Sequence, residues 1–90
     1  MAKAEISWKR RTEEGERIEV YAQHVGRDWR FFQRERRFEQ WQAVAEPPLA
    51  DWLELLDAVR RRINRRLLRP AEEDRVKKSI HERFPEEPLN

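Results

Sequence analysis

No cysteine occurs in the 90-residue chain. Disulfides, thiolate zinc sites and thiol nucleophiles are therefore excluded, and the absence suits a cytoplasmic protein. Glycine is almost as scarce, with two residues, Gly15 and Gly26. They are too few and too far apart for a glycine-rich loop that cradles phosphates. Two histidines, His24 and His81, and the hydroxyls of Ser7, Thr12, Tyr21 and Ser79 are the only conventional acid–base or hydroxyl-nucleophile candidates beyond the carboxylates, and none sits in a recognisable motif. No apolar run approaches the ~20 residues that span a bilayer, so no membrane partner is expected. The opening Met1-Ala2-Lys3-Ala4-Glu5-Ile6 has no apolar segment of the kind a signal peptide carries.

What the chain has in abundance is charge. Asp, Glu, Lys and Arg make up 42% of it, with 20 basic against 18 acidic residues. The mean hydropathy is −1.12. Such values border on those of disordered chains, but four Trp, four Phe and one Tyr supply the aromatic surface a packed core needs. The length sets one small domain, residues 1–90, with no room for a large enclosed substrate cavity beside its core. The near balance of charge hides a polarity: residues 50–69 hold six basic and three acidic groups, and residues 70–90 hold four and six.

Two periodicities divide the chain. Over residues 4–45 apolar and polar side chains alternate: Ile6 and Trp8 with Ser7 and Lys9, then Ile18, Val20 and Ala22 with Glu19, Tyr21 and Gln23. Period two with β-branched and aromatic residues marks strands, and Gly15 and the Gly26-Arg27-Asp28 stretch mark hairpin turns. Trp29–Arg34 supplies a third strand and residues 40–44 a fourth, giving a three- to four-stranded antiparallel β-meander. Glu46-Pro47-Pro48 breaks this pattern. Beyond it Leu49, Trp52, Leu53, Leu56, Val59, Ile63 and Leu67 form an apolar stripe of helical period, which predicts a long helix over residues 48–68 packed on one sheet face. Pro70 opens a second helix over residues 70–84, with Glu72, Glu73 and Asp74 at its positive end and Glu73–Lys77 and Asp74–Lys78 as i,i+4 pairs. Residues 85–90 form a frayed tail. The expected class is α+β, a meander followed by two helices.

Three features carry candidate chemistry. With Ile6, Trp8, Ile18, Val20 and Ala22 inward, the opposite sheet face presents Lys9, Arg11, Arg17, Glu19, Tyr21 and Gln23. Turning Phe32 outward adds Arg30 and Arg34, making five cations against one anion with two aromatic rings. Bases stack on exposed rings while cations follow phosphates, so this is the composition of a face for single-stranded nucleic acid. A solvated face laced with cross-strand ion pairs accounts for the same residues. The second feature is the arginine run Arg60, Arg61, Arg62, Arg65, Arg66 and Arg69. Arginines can grip phosphates, and they also complement the negative end of a helix dipole. Arg61, Arg65 and Arg69 lie opposite the apolar stripe. Arg60 falls inside it and calls for a carboxylate partner from a sheet edge or the tail. The third is an apolar surplus: Leu55 and Leu68 off the stripe, with Phe38 and Trp41 around the fourth strand, as a protein interface would have.

These features point to a small non-enzymatic binding module that contacts nucleic acid. Lys9, Arg11, Arg30 and Arg34 hold phosphates, Tyr21 and Phe32 stack bases, and Arg61, Arg62, Arg65 and Arg66 offer a second basic surface. The alternative is a protein–protein adaptor or regulatory protein, including a homodimer. No catalytic residue, cofactor or metal ligand is assigned. A metal or acid–base enzyme would need His24 and His81 together with a carboxylate.

Overall fold

The computed structural model describes residues 5–26, 28–35 and 39–89. Four strands come first: β1 (Glu5–Arg11), β2 (Arg17–Val25), β3 (Asp28–Arg34) and β4 (Gln42–Val44). They form one antiparallel sheet in the order β1-β2-β3-β4. Two helices follow, α1 (Leu49–Asn64) and α2 (Ala71–Arg83). The fold is α+β, with strands and helices segregated along the chain. The chain divides into two compact units, Met1–Pro47 and Pro48–Asn90, where the Pro47-Pro48 pair interrupts the strand pattern. No helix among the described residues is long and apolar enough to cross a membrane.

In the sheet unit the alternation read from the sequence is the alternation of the two faces. Ile6, Ile18, Val20, Ala22, Trp29 and Phe31 are all buried and share one face. Trp8 joins them, its ring edge-on to Phe31 at 6.1 Å. At the end of this face the His24 ring lies 4.7 Å from the ring of Trp29, its cross-strand partner. The β1–β2 turn closes with the Gly15 amide donating to the Thr12 carbonyl at 2.9 Å and the Thr12 amide to the Glu16 carbonyl at 2.9 Å. This is a type I turn followed by a left-handed bulge residue, and Gly15 fills the left-handed place at φ 86°. Gly26, at φ 62°, is also left-handed and directly follows β2, between the paired Val25 and Asp28. Arg27 lies outside the described residues, as do residue 4 of the expected meander and Phe38. The fourth strand is shorter than expected, three residues rather than five.

The helical unit is an antiparallel pair, as the interactions at its opposite ends fix. Near the start of α1, the Arg83 guanidinium of α2 lies 4.9 Å over the Trp52 ring. Near the other end, Arg60 Nε donates to Glu73 Oε2 at 3.2 Å. Arg60 thus pairs with a carboxylate in the first turn of α2, where the sequence called for one from a sheet edge or the tail. Lys77 Nζ reaches the same oxygen at 3.0 Å, forming the predicted i,i+4 pair, whereas Asp74 and Lys78 form none. Trp52, Leu55, Leu56, Val59, Val76 and Ile80 are buried, together with the acidic Asp51 and Glu72. Leu55 is fully buried, so it is core and not surplus surface.

The long helix stops four residues early. Arg66 takes a left-handed φ of 61°, the Leu67 amide donates to the Arg62 carbonyl at 2.8 Å, and the Arg66 amide donates to the Ile63 carbonyl at 2.9 Å. These two bonds make a Schellman cap, with an arginine where glycine is usual. Leu67 is thereby thrown off the helix and is 61% exposed instead of continuing the apolar stripe. Arg65 caps the helix and Arg69 lies beyond it, so neither belongs to a helix face opposite that stripe. At the end of α2 the Glu87 amide donates to the Phe84 carbonyl at 3.0 Å, turning the chain after the last helical residue.

Candidate nucleic-acid interface on the sheet

The second sheet face is built in cross-strand rows, set by the register. One row runs Ser7, Tyr21, Phe32, Ala43; the next runs Lys9, Glu19, Arg34; a third runs Glu5, Gln23, Arg30; and Arg11 faces Arg17 next to the first turn. Phe32 thus shares a face with Tyr21, as expected. Their rings stack with centroids 4.7 Å apart and planes 14° from parallel. The outer members of that row, Ser7 and Ala43, are small and exposed, so the aromatic pair stands between two low flanks. Trp41, one residue before β4, meets Tyr21 edge-on at 4.7 Å. Burial, and to a lesser degree the charge of Glu5, hold the Tyr21 hydroxyl above its ordinary pKa of 10.0, so it stays a neutral donor.

The cations divide into committed and uncommitted groups. Arg34 is committed. Its Nε and Nη2 both donate to Glu19 Oε2, at 3.2 and 3.0 Å, and its guanidinium carbon lies 4.3 Å over the Trp41 ring. Lys9 stands opposite Glu19 in register, but that carboxylate is turned to Arg34. Lys9, Arg11, Arg17 and Arg30 are exposed and form no ion pair among the described residues. Arg11 makes one long hydrogen bond, Nη1 donating to the Gly15 carbonyl at 3.5 Å. Arg11 and Arg17 oppose each other directly, an arrangement that costs stability in an antiparallel pair. The face carries two further anions, Glu5, which accepts from Gln23 Nε2 at 3.3 Å, and the exposed Asp28 opposite Val25, so the count is five cations to three anions, not five to one.

The ten residues singled out in the sequence fall into separate groups. Lys9, Arg11, Tyr21, Arg30, Phe32 and Arg34 are brought onto one sheet face. Arg61, Arg62, Arg65 and Arg66 belong to the helical unit and do not form one helical stripe. Arg61 pairs with Asp57 at 3.1 Å, Arg62 is half-buried, and Arg65 and Arg66 sit in the capping turn. Sequence reasoning missed Trp41 as a member of the sheet face. Its parity with Ala43 is a signal, but only the Phe32–Ala43 register shows which face that parity selects. Among the described residues no group of three or more His, Asp or Glu side chains is arranged to hold a metal. The chain matches no known protein-family model, no curated protein and no solved structure.

Proposed function

We propose that the protein is a non-enzymatic module that binds single-stranded nucleic acid on the second face of its sheet. The observation that carries this reading is the Tyr21–Phe32 ring pair, extended by Trp41, on a face where Lys9, Arg11, Arg17 and Arg30 are not neutralised. Aromatic rings offer any base a stacking surface worth about 1–3 kcal/mol, and the surrounding cations supply a sequence-independent attraction to phosphates. A duplex hides its base faces, so a sheet of this kind favours single strands. In this reading Arg34 holds Trp41 and Glu19 in place, and the phosphates fall to the four uncommitted cations. The cysteine-free composition supports a cytoplasmic setting.

The test is binding of fluorescently labelled single-stranded and duplex oligonucleotides at low salt, by anisotropy. Sub-millimolar affinity for the single strand, falling steeply as salt is raised, is the expected result. No binding at low salt overturns the reading. A second reading, docking to a protein or to a second copy of the chain, draws on one observation, the 61% exposure of Leu67 beside the Arg65–Arg66 turn. Its expected signature is a solution mass above 11.1 kDa that Leu67→Ser returns to that of a single chain.

A further inference from the structure

Two clefts lie side by side on the candidate face and share Lys9. The first, about 240 Å³, is lined by Ser7, Trp8, Lys9, Glu19, Val20 and Trp41. That is below the roughly 300–1,000 Å³ of pockets that enclose drug-sized molecules, and suits a single ring system. The second, about 450 Å³ and shallow, is lined by Lys9, Arg10, Arg11 and Arg17, with no acidic residue in its wall. Lys9 and Arg11 are two residues apart on one strand face, a rise of about 6.7 Å. One cleft therefore offers a ring, a hydroxyl and a carboxylate, and its neighbour offers clustered positive charge.

Glu19 has an unusual place in this arrangement. Both Arg34 donors go to its Oε2, and Oε1 receives no hydrogen bond from the described residues. Arg34 thus neutralises the carboxylate and fixes it, leaving an acceptor in the wall of the smaller cleft. A fixed acceptor there favours a donor on whatever ring enters. Cytosine presents an exocyclic amine at the position where uracil and thymine present a carbonyl oxygen, and adenine presents one where guanine presents its O6.

We propose that the two clefts form a site for one nucleotide of the bound strand, selective for an amino-bearing base. The base lies against Trp41 and donates its exocyclic amine to Glu19 Oε1. Its phosphate sits between Lys9 and the opposed Arg11 and Arg17, relieving their mutual repulsion. The inference rests on the single-strand reading above and adds to it a specificity-determining residue, Glu19, and a positioning residue, Arg34.

The test compares length-matched oligo-dC and oligo-dT of about ten nucleotides, within the usual site size of such surfaces. Both are pyrimidines, so stacking differs little and the amine is the main variable. One net hydrogen bond is worth roughly three- to tenfold, and dC is expected to bind tighter by that factor. Oligomers of N4,N4-dimethylcytosine, which lack the donor, are expected to fall to the dT level on the unaltered protein. Glu19→Gln should abolish the dC preference, while Arg17→Gln should weaken dC and dT alike and keep their ratio. Equal binding of dC, dT and dimethylated dC overturns the inference and leaves the single-strand reading standing. Absence of binding by all three overturns both.

Discussion

The helical pair and the sheet face hold similar side chains and treat their charges differently. On the helices, cations meet carboxylates at local spacings or across the pair: Arg61 with Asp57, Arg75 with Glu72, and Arg60 and Lys77 both with Glu73. Helical geometry makes this easy, because residues three and four apart are neighbours. On the sheet, neighbours come from other strands, and the register sets Arg11 against Arg17 and turns Glu19 from Lys9 to Arg34. Helical spacing thus answers Arg60 and Arg61 of the arginine run, whereas Arg62, Arg65, Arg66 and Arg69, like Lys9, Arg11, Arg17 and Arg30 on the sheet, form no ion pair among the described residues. Positive residues in a sequence do not measure positive surface; pairing geometry decides it.

The sharpest way to break this contrast is to remove the rings. Tyr21→Ala and Phe32→Ala should each weaken single-strand binding by about 5- to 150-fold, the equivalent of a stacking interaction of roughly 1–3 kcal/mol. Arg61→Gln, which removes a cation already paired with Asp57, should change it less than twofold. Anisotropy titrations on the three folded variants check both halves. Equal losses in all three would erase the distinction between the regions.

Arg11→Glu separates stability from binding. It replaces a like-charged cross-strand pair with an opposite-charged one, so the sheet should gain about 0.2–1 kcal/mol in urea unfolding. The same variant should bind nucleic acid about tenfold more weakly at low salt, because an attraction to phosphate becomes a repulsion. A destabilised variant would show that the opposed arginines are not in conflict.

Two of the left-handed positions, Gly15 and Arg66, give a matched test of backbone strain, one in each unit. Gly15→Ala should cost about 1 kcal/mol, since a Cβ is disfavoured at φ 86° although nothing lies within 4 Å of it. Arg66→Gly should move the other way, gaining up to about 1 kcal/mol by relieving the cap at φ 61°. Urea midpoints measured side by side decide this.

The smallest effect belongs to Glu73. The hydrogen bond from Lys77 first, and then that from Arg60, hold its carboxyl below the ordinary value of 4.5. A carboxylate with a depressed folded pKa contributes its stability above the unfolded pKa and loses it as pH falls through the folded one. Glu73→Gln should therefore cost about 0.5–1 kcal/mol at neutral pH, and the difference from the unaltered chain should shrink as pH falls below 4.5 and vanish once the folded carboxyl is protonated. A pH-independent difference would point to packing instead.

Much of this was legible in the sequence where a rule is local. Ile6, Ile18, Val20 and Ala22 alternate with the residues now on the second face, and Pro47-Pro48 marks the change of period. The class and the strand order follow from such signals, whereas β3 carries aromatics of both parities and only the β2–β3 register puts Phe32 on the face of Tyr21. What stayed hidden depends on register or backbone conformation. No glycine announces the end of α1, so Leu67 reads as one more turn of the stripe although the chain has already left the helix at Arg66. Arg60 is visibly out of place on a helical wheel, but a wheel of one helix cannot show that Glu73 of the next one answers it. Trp41 follows a connection too long to transmit strand parity, so its place against Arg34 emerges only from the folded register.

The central claim is that the open cations of the sheet face are the ones that meet the nucleic acid, and the salt dependence of binding reads their charge directly. For single strands, log K falls against log salt with a slope of about −0.7 for each phosphate neutralised. The double variant Arg11→Gln, Arg17→Gln is expected to shallow that slope by about 1.4, and Arg61→Gln with Arg62→Gln to leave it unchanged. An unchanged slope in the sheet variant, or a shallower one confined to the helix variant, would contradict the account.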